Sequence, residues 1–218
     1  MYPNKKETFI IAKEGWNTSL VMFIVFVVAY TLSLASFFFF VVLFATLLLY
    51  RNPERISLEN DPYALMAPCD GCVRSIAKVT ANDGKEWLRV LIEKRLYDVG
   101  VIRSPINMHV MELKIRSGLS LDSTSPLADA LREKKVLTCK GALGEMKIAL
   151  YKGRFAYRIA LNDTSLPFRT TQRLGFLSQG DVALFLPLDT RISVVLNDEV
   201  KAGESVLGYF AYKANAHE

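Results

Sequence analysis

The chain has 218 residues, 51% of them hydrophobic, and a formal net charge of +5, which fits one ordinary domain plus an appendage and excludes a multi-domain machine, a disulfide-stapled mini-protein and a disordered chain. Its basic balance would suit nucleic acid or an anionic bilayer, but no nucleic-acid fingerprint is present, and the apolar excess is concentrated near the N-terminus, so the bilayer is the expected partner. Three cysteines make no even framework, and a reducing cytosol is the expected home of the polar part.

Residues 1–18 read as a cytosolic N-terminal segment carrying Lys5, Lys6 and Lys13, and residues 19–50 as a membrane anchor. From Ser19 to Tyr50 there are 32 residues without Asp, Glu, Lys or Arg, about 48 Å as one helix against a hydrocarbon core of about 30 Å. A tilted span absorbs part of that excess. A re-entrant hairpin of two arms, Leu20–Leu32 and Phe37–Tyr50, turning at Ser33–Ser36, absorbs all of it and leaves the basic residues Lys13, Arg51 and Arg55 on one face, as the positive-inside preference asks. The hairpin is therefore favoured, with the polar domain on the cytosolic face of the membrane, the inner membrane in a bacterial cell. No small-residue cleavage site follows the run, so the anchor is expected to be retained.

Residues 51–218 change texture to short apolar runs broken by Gly, Pro, Asn and Asp. Val73–Val79, Trp87–Ile92, Val99–Ile102, Val110–Ile115, Lys147–Tyr151, Phe155–Leu161, Val182–Leu186, Ile192–Leu196 and Val206–Phe210 have strand lengths and β-branched or aromatic content. They predict a mainly β, barrel-sandwich-like body, an all-β sandwich or barrel with one or two short helices. A helix is signalled by Ser125 as N-cap and Pro126 at the first position, running to Lys134, with Lys134 and Lys135 suited to its C-terminal end. Cys69 and Cys72 form a C-x-x-C around Asp70-Gly71. Without a second pair that spacing reads as two thiols flanking a turn rather than a metal or redox site.

Ala67–Val73 and Asn197–Gly208 each place a turn before a hydrophobic strand, and together they resemble the half-motifs of biotinyl- and lipoyl-type barrel-sandwich domains. The Met146-Lys147 pair superficially fits the attachment lysine of such carriers, but Lys147 lies far from the first half-motif and opens an apolar run, so it reads as a strand-edge lysine.

A more specific likeness runs nearly end to end. Arg51-Asn52-Pro53-Glu54-Arg55 follows the anchor, Ala67-Pro68-Cys69-Asp70-Gly71 is similar to S-P-A-D-G, and Ser104-Pro105-Ile106-Asn107-Met108-His109-Val110 to S-P-F-N-V-H-V. Arg173-Leu174-Gly175-Phe176-Leu177 is similar to R-F-G-M-I, Val182–Pro187 to V-D-V-Y-L-P, and Val200-Lys201-Ala202-Gly203-Glu204 to V-x-A-G-E. In this order the motifs resemble the short, membrane-anchored type of phosphatidylserine decarboxylase proenzyme.

The resemblance implies a definite chemistry. A serine hydroxyl attacks the preceding glycine carbonyl, the resulting ester eliminates, and the serine becomes an N-terminal pyruvoyl group, the electron sink for decarboxylating phosphatidylserine to phosphatidylethanolamine. By the same resemblance Asp70 and His109 form the proton relay that activates the serine. Where the family carries Gly-Ser, this chain reads Ser178-Gln179-Gly180-Asp181 and is one residue shorter, so Gly180 or Asp181 takes the serine position and neither has a β-hydroxyl. Ser178 is the hydroxyl nearest in sequence, displaced by roughly 7–10 Å at strand rise, and is an unfavourable substitute nucleophile. The chain is thus expected to be a phospholipid-metabolism protein of this family that does not process itself and carries no cofactor, with a pyruvoyl group arising only if processing occurs after all. The alternatives are an active decarboxylase using a non-standard residue and a non-catalytic lipid-binding or assembly partner. Expected partners are membrane phospholipid and, for a silent family member, a second copy of the chain or an intact decarboxylase paralogue.

Overall fold

Among the described residues, two apolar helices precede thirteen strands. The computed structural model describes residues 10–33, 36–55, 59, 61–81, 84–121, 131–157 and 159–211, which fall into two units, Met1–Glu54 and Arg55–Glu218.

In the first unit a 3₁₀ turn leads into α1 (Trp16–Thr31), and α2 (Ser36–Leu49) follows after a reversal at Leu32 and Ser33. Ser33 adopts a φ of 57°, a left-handed conformation that ends α1. The helices run back along one another, with the rings of Phe26 and Phe40 5.9 Å apart. Their outer ends are tied together: Ile11 and Arg51 form an antiparallel bridge, the Ala12 N–H donates to the Tyr50 carbonyl at 2.8 Å, and the Asn52 N–H donates to the Ile10 carbonyl at 2.7 Å. A Cβ at Gly15 would lie 2.3 Å from the Tyr50 ring, so only glycine permits this close approach. The hydroxyls of Thr31 and Thr46 donate to the carbonyls of Val28 and Val42 within their own helices, which satisfies them without water. Lys13–Thr31 is long and apolar enough to cross a membrane.

The second unit is mainly β. Its largest sheet is antiparallel in the order β12-β2-β3-β10-β7-β6-β5, formed by Glu199–Val200, Gly71–Thr80, Glu86–Lys94, Gly180–Leu186, Gly144–Lys152, Lys134–Gly141 and Met108–Arg116. Two three-stranded sheets accompany it. One joins β1 (Ala64–Met66), β13 (Val206–Tyr209) and β11 (Arg191–Ile192), and the other joins β4 (Val101–Arg103), β9 (Arg173–Leu177) and β8 (Ile159–Leu161). Among the described residues no sheet closes into a barrel.

Period-two alternation sets the core. Val90 and Ile92 of β3, Ile148 and Leu150 of β7, and Val182, Leu184 and Leu186 of β10 point into one buried cluster with Leu65, Val73 and Leu207. The opposite face of β7 and β10 carries Ala149, Tyr151 and Ala183 in a smaller buried cluster. The central strand β10 is therefore covered on both sides.

Several expectations need correction. Most of the helix predicted over Ser125–Lys134 lies outside the described residues. Lys134 and Lys135 open strand β6 instead of closing a helix, because the apolar Val136 and Leu137 that follow them pair with Ala149 and Ile148 of β7. The segment Phe155–Leu161 is strand only from Ile159. The run Ile192–Leu196 contributes only Arg191–Ile192 to a ladder, since Asn197, with a φ of 69°, turns the chain there. Lys147 is not at a strand edge: it lies in the middle of β7, opposite Phe185 of β10 and Thr138 of β6, because the apolar run begins earlier, at Met146, and its ammonium stands over the Trp87 ring at 4.9 Å in a cation–π contact.

Candidate functional site

Two Gly/Asp dipeptides, far apart in sequence, meet at one end of β3. Asp70-Gly71 leads into β2 and Gly180-Asp181 begins β10. The ladder places Cys72 and Asp181 on either side of Glu93, and Gly180 opposite Lys94. Both glycines have φ in the range L side chains avoid, 153° at Gly71 and 145° at Gly180. A Cβ would lie 2.2 Å from the Glu93 carbonyl oxygen at the first and 2.0 Å from the Tyr151 carbonyl oxygen at the second, so backbone packing demands glycine at each.

The Asp70 carboxylate is clamped. Arg55 donates from both terminal nitrogens, Nη2 to Oδ2 at 2.6 Å and Nη1 to Oδ1, and the Ala202 N–H donates to Oδ1 at 2.8 Å. Arg55 Nε also faces Glu204 at 3.5 Å. Burial pushes the Asp70 carboxyl up, but the Arg55 fork, the Ala202 N–H and the surrounding positive charge outweigh it and hold the group below its ordinary value of 3.8.

Asp181 is paired separately. Its Oδ2 accepts a hydrogen bond from Arg132 Nη1 at 2.5 Å, and the two side chains are 7% and 1% exposed. Arg132 Nε donates to the Lys152 carbonyl at 3.2 Å, and its guanidinium lies 5.4 Å from the centre of the Tyr151 ring. Tyr151 is the β7 residue directly opposite Asp181.

Ser178 sits in the bend between β9 and β10, where its carbonyl accepts from Lys94 Nζ at 3.1 Å. The same ammonium donates to the Asp98 carbonyl at 3.0 Å and the Arg95 carbonyl at 3.3 Å, so a 1% exposed lysine ties this bend to the 95–98 turn. Gln179 braces the next link, accepting from the Phe155 N–H through its side chain at 2.8 Å and from the Gly153 N–H through its backbone at 3.1 Å.

Cys69 lies in the same neighbourhood. Its thiol is pushed up by burial, with opposing influence from Lys94 and added influence from Asp70, Asp98 and Asp181; a thiol so held stays protonated and unreactive. Cys69 and Cys72 are buried free thiols, and no His, Cys, Asp and Glu group suited to a metal ion occurs among the described residues.

The structure thus gathers Asp70, Ser178, Gly180 and Asp181 at one sheet end. His109 stands apart from them in its contacts. It lies exposed on the edge strand β5, opposite Lys140, and its imidazole makes no hydrogen bond or ion pair among the described residues. Three participants escaped the sequence reading. Arg55 ends a quoted motif but gives no sign there of its partner; Lys94 is the middle of a charged run, Glu93-Lys94-Arg95, that follows an apolar stretch and ordinarily marks a strand terminus; and Arg132 falls inside the segment predicted as helix.

Residues 44–208 match the model of the phosphatidylserine decarboxylase family. Among similar proteins, the phosphatidylserine decarboxylase proenzyme of Desulfotalea psychrophila is 32% identical over 182 residues, covering 79% of this chain and 83% of the relative. That of Geotalea daltonii is 29% identical over 175 residues, covering 78% and 82%, and that of Wolbachia pipientis is 28% identical over 209 residues, covering 90% of both.

Proposed function

Because the chain belongs to the phosphatidylserine decarboxylase family, we propose that it is a membrane-anchored member of phospholipid metabolism that keeps the fold but does not cleave itself. The observation that carries this reading is the state of Asp181. The side chain at the position where the family resemblance expects a serine is a carboxylate, buried against Arg132. Self-processing requires a hydroxyl to attack the neighbouring carbonyl and then a β-elimination that leaves a ketone. A carboxylate engaged by a guanidinium is a poor nucleophile and offers no such leaving oxygen. The residues present do not fit a pyruvoyl group, and no step is assigned through one.

Two further features support the reading. Ser178 has its own carbonyl bonded to Lys94, which anchors the bend and opposes the backbone shift a substitute nucleophile would require. Asp70 is occupied by Arg55 and Ala202, and His109 has no contact with it among the described residues, so a relay toward position 181 is not assembled. The apolar hairpin with its ends joined supports an anchor that enters and leaves the bilayer on one face, and the basic residues Lys13 and Arg51 beside both ends favour the cytosolic one.

The test is direct. The full chain purified in detergent should remain intact at 24.5 kDa in mass spectrometry and release no carbon dioxide from phosphatidylserine vesicles. A C-terminal piece of about 38 residues beginning at position 181, or a fragment beginning at Ser178 with a pyruvoyl end, overturns the proposal, as does decarboxylation by the intact chain.

A further inference from the structure

The Arg132–Asp181 pair lies on the face of β10 turned away from the main core. Along this strand Val182, Leu184 and Leu186 enter the large cluster, so Asp181 and Ala183 face the other way, where Ala149 and Tyr151 of β7 and the partly buried Val136, Leu91 and Phe185 form an apolar floor. Onto this floor comes Arg132, held by its bridge to Leu119 and by its Nε–H to the Lys152 carbonyl. The Tyr151 ring stands 5.4 Å from the guanidinium, and Lys134 Nζ is 5.7 Å from the same ring. Lys152 is neutralised separately by Glu133 at 3.0 Å. Among the described residues Arg132 thus presents a donor fork beside an aromatic wall and a small-residue floor, with Lys134 as a second positive charge at the same ring.

A guanidinium removed from water must meet an anion, and a planar carboxylate matches its fork. Here the anion is supplied by the chain, one methylene out from β10. We propose that Arg132, Tyr151 and the floor of Ala149 and Ala183 form a pocket for a small carboxylate, and that Asp181 occupies it as a built-in ligand. Truncating Asp181 to alanine removes a carboxylate and nothing else, so the space left has the size, charge and hydrogen-bonding pattern of formate. The same chemistry would take the carboxylate of an amino-acid headgroup, which Asp181 excludes in the native chain. The inference goes beyond the proposed function and is independent of it, since a chain found to cleave itself by another route leaves the rescue measurement below unchanged.

Thermal unfolding of the full chain in detergent tests it, with sodium formate compared to sodium chloride at equal ionic strength. Asp181→Ala should unfold on the order of 10 °C below the native chain in chloride. Formate should restore part of that loss along a saturating curve, as binding to the folded state alone requires. The native chain and Asp181→Asn, whose pockets stay filled, should not respond, and the double variant Asp181→Ala, Arg132→Met should lose the response. If Asp181→Ala yields folded protein only when purified in formate, that recovery is the same result. If it folds in neither salt, Asp181→Ser is measured in its place. Equal effects of formate and chloride on the truncated variants, or a formate response that survives removal of Arg132, overturns the proposal.

Discussion

Asp70 illustrates how a buried carboxylate is kept charged at the residue scale. Burial works against its charge, and the Arg55 fork with the Ala202 N–H more than offsets it, so its folded-state pKa lies below the ordinary 3.8. A depressed carboxylate contributes stability above its unfolded pKa, and that contribution is lost as pH falls through the folded value. Unfolding midpoints of the native chain should therefore drop as pH is lowered from 5 through 3.8 and below. Asp70→Asn should be weaker at pH 7 by on the order of 1–3 kcal/mol, because Arg55 loses its partner, and its midpoint should be flatter across the same acid range. Parallel curves for the two proteins would remove Asp70 from the acid response. Sequence singled out Asp70, Gly180 and Asp181, and the resemblance paired Asp70 with His109, but neither carboxylate was matched to its guanidinium, because Arg55 and Arg132 reach Asp70 and Asp181 from 15 and 49 residues away. Nothing in local pattern records such distant ion pairs.

Among the elements, the apolar helices were legible because composition and length together exceed one span, and the structure divides the run into α1 and α2 with a reversal at Leu32 and Ser33. Labelling with a membrane-impermeant thiol reagent tests its placement in a bilayer. Cysteines introduced at Glu14 and Glu54, in spheroplasts and in inverted vesicles, should both react from the cytosolic side. The native Cys69, Cys72 and Cys139 are buried and give little background. Reaction of the two positions from opposite sides would establish a single tilted span. Most strands were equally legible, since β2, β3, β7 and β10 contain runs of core-forming residues, with burial roughly alternating along β3 and nearly continuous along β10. Strand β6 was hidden because its first residues, Lys134 and Lys135, are good helix formers whose strand state comes from the neighbouring β5 and β7. Strand β1 was too short to signal, and β9, though quoted as the motif Arg173–Leu177, shows its strand state only through pairing with β4 and β8.

At the scale of the whole molecule, the question is whether one inserted residue can restore the chemistry that the family resemblance implies. Replacing Asp181 by Ser-Arg returns the Gly-Ser-Arg order and adds one residue before Val182. From Val182 to Phe185 the strand is paired on both sides with β3 and β7, so the added residue must be absorbed in the Ser178-Gln179 bend. There Lys94 and Gly153 already hold the backbone and Phe155 holds the Gln179 side chain, and the left-handed Gly180 must shift against the Tyr151 carbonyl. Arg132 at the same time loses the Asp181 carboxylate, and breaking a buried ion pair costs about 3–5 kcal/mol. Even a folded variant would present a serine without a base, with Asp70 held by Arg55 and His109 exposed on β5. The insertion variant should therefore be less stable than the native chain and remain uncleaved after prolonged incubation, as read by mass spectrometry of the full chain. Cleavage after Gly180 would show that the relay can form without the native contacts. Its loss on a further His109→Ala change would then make that imidazole the base, and its persistence would place the base elsewhere.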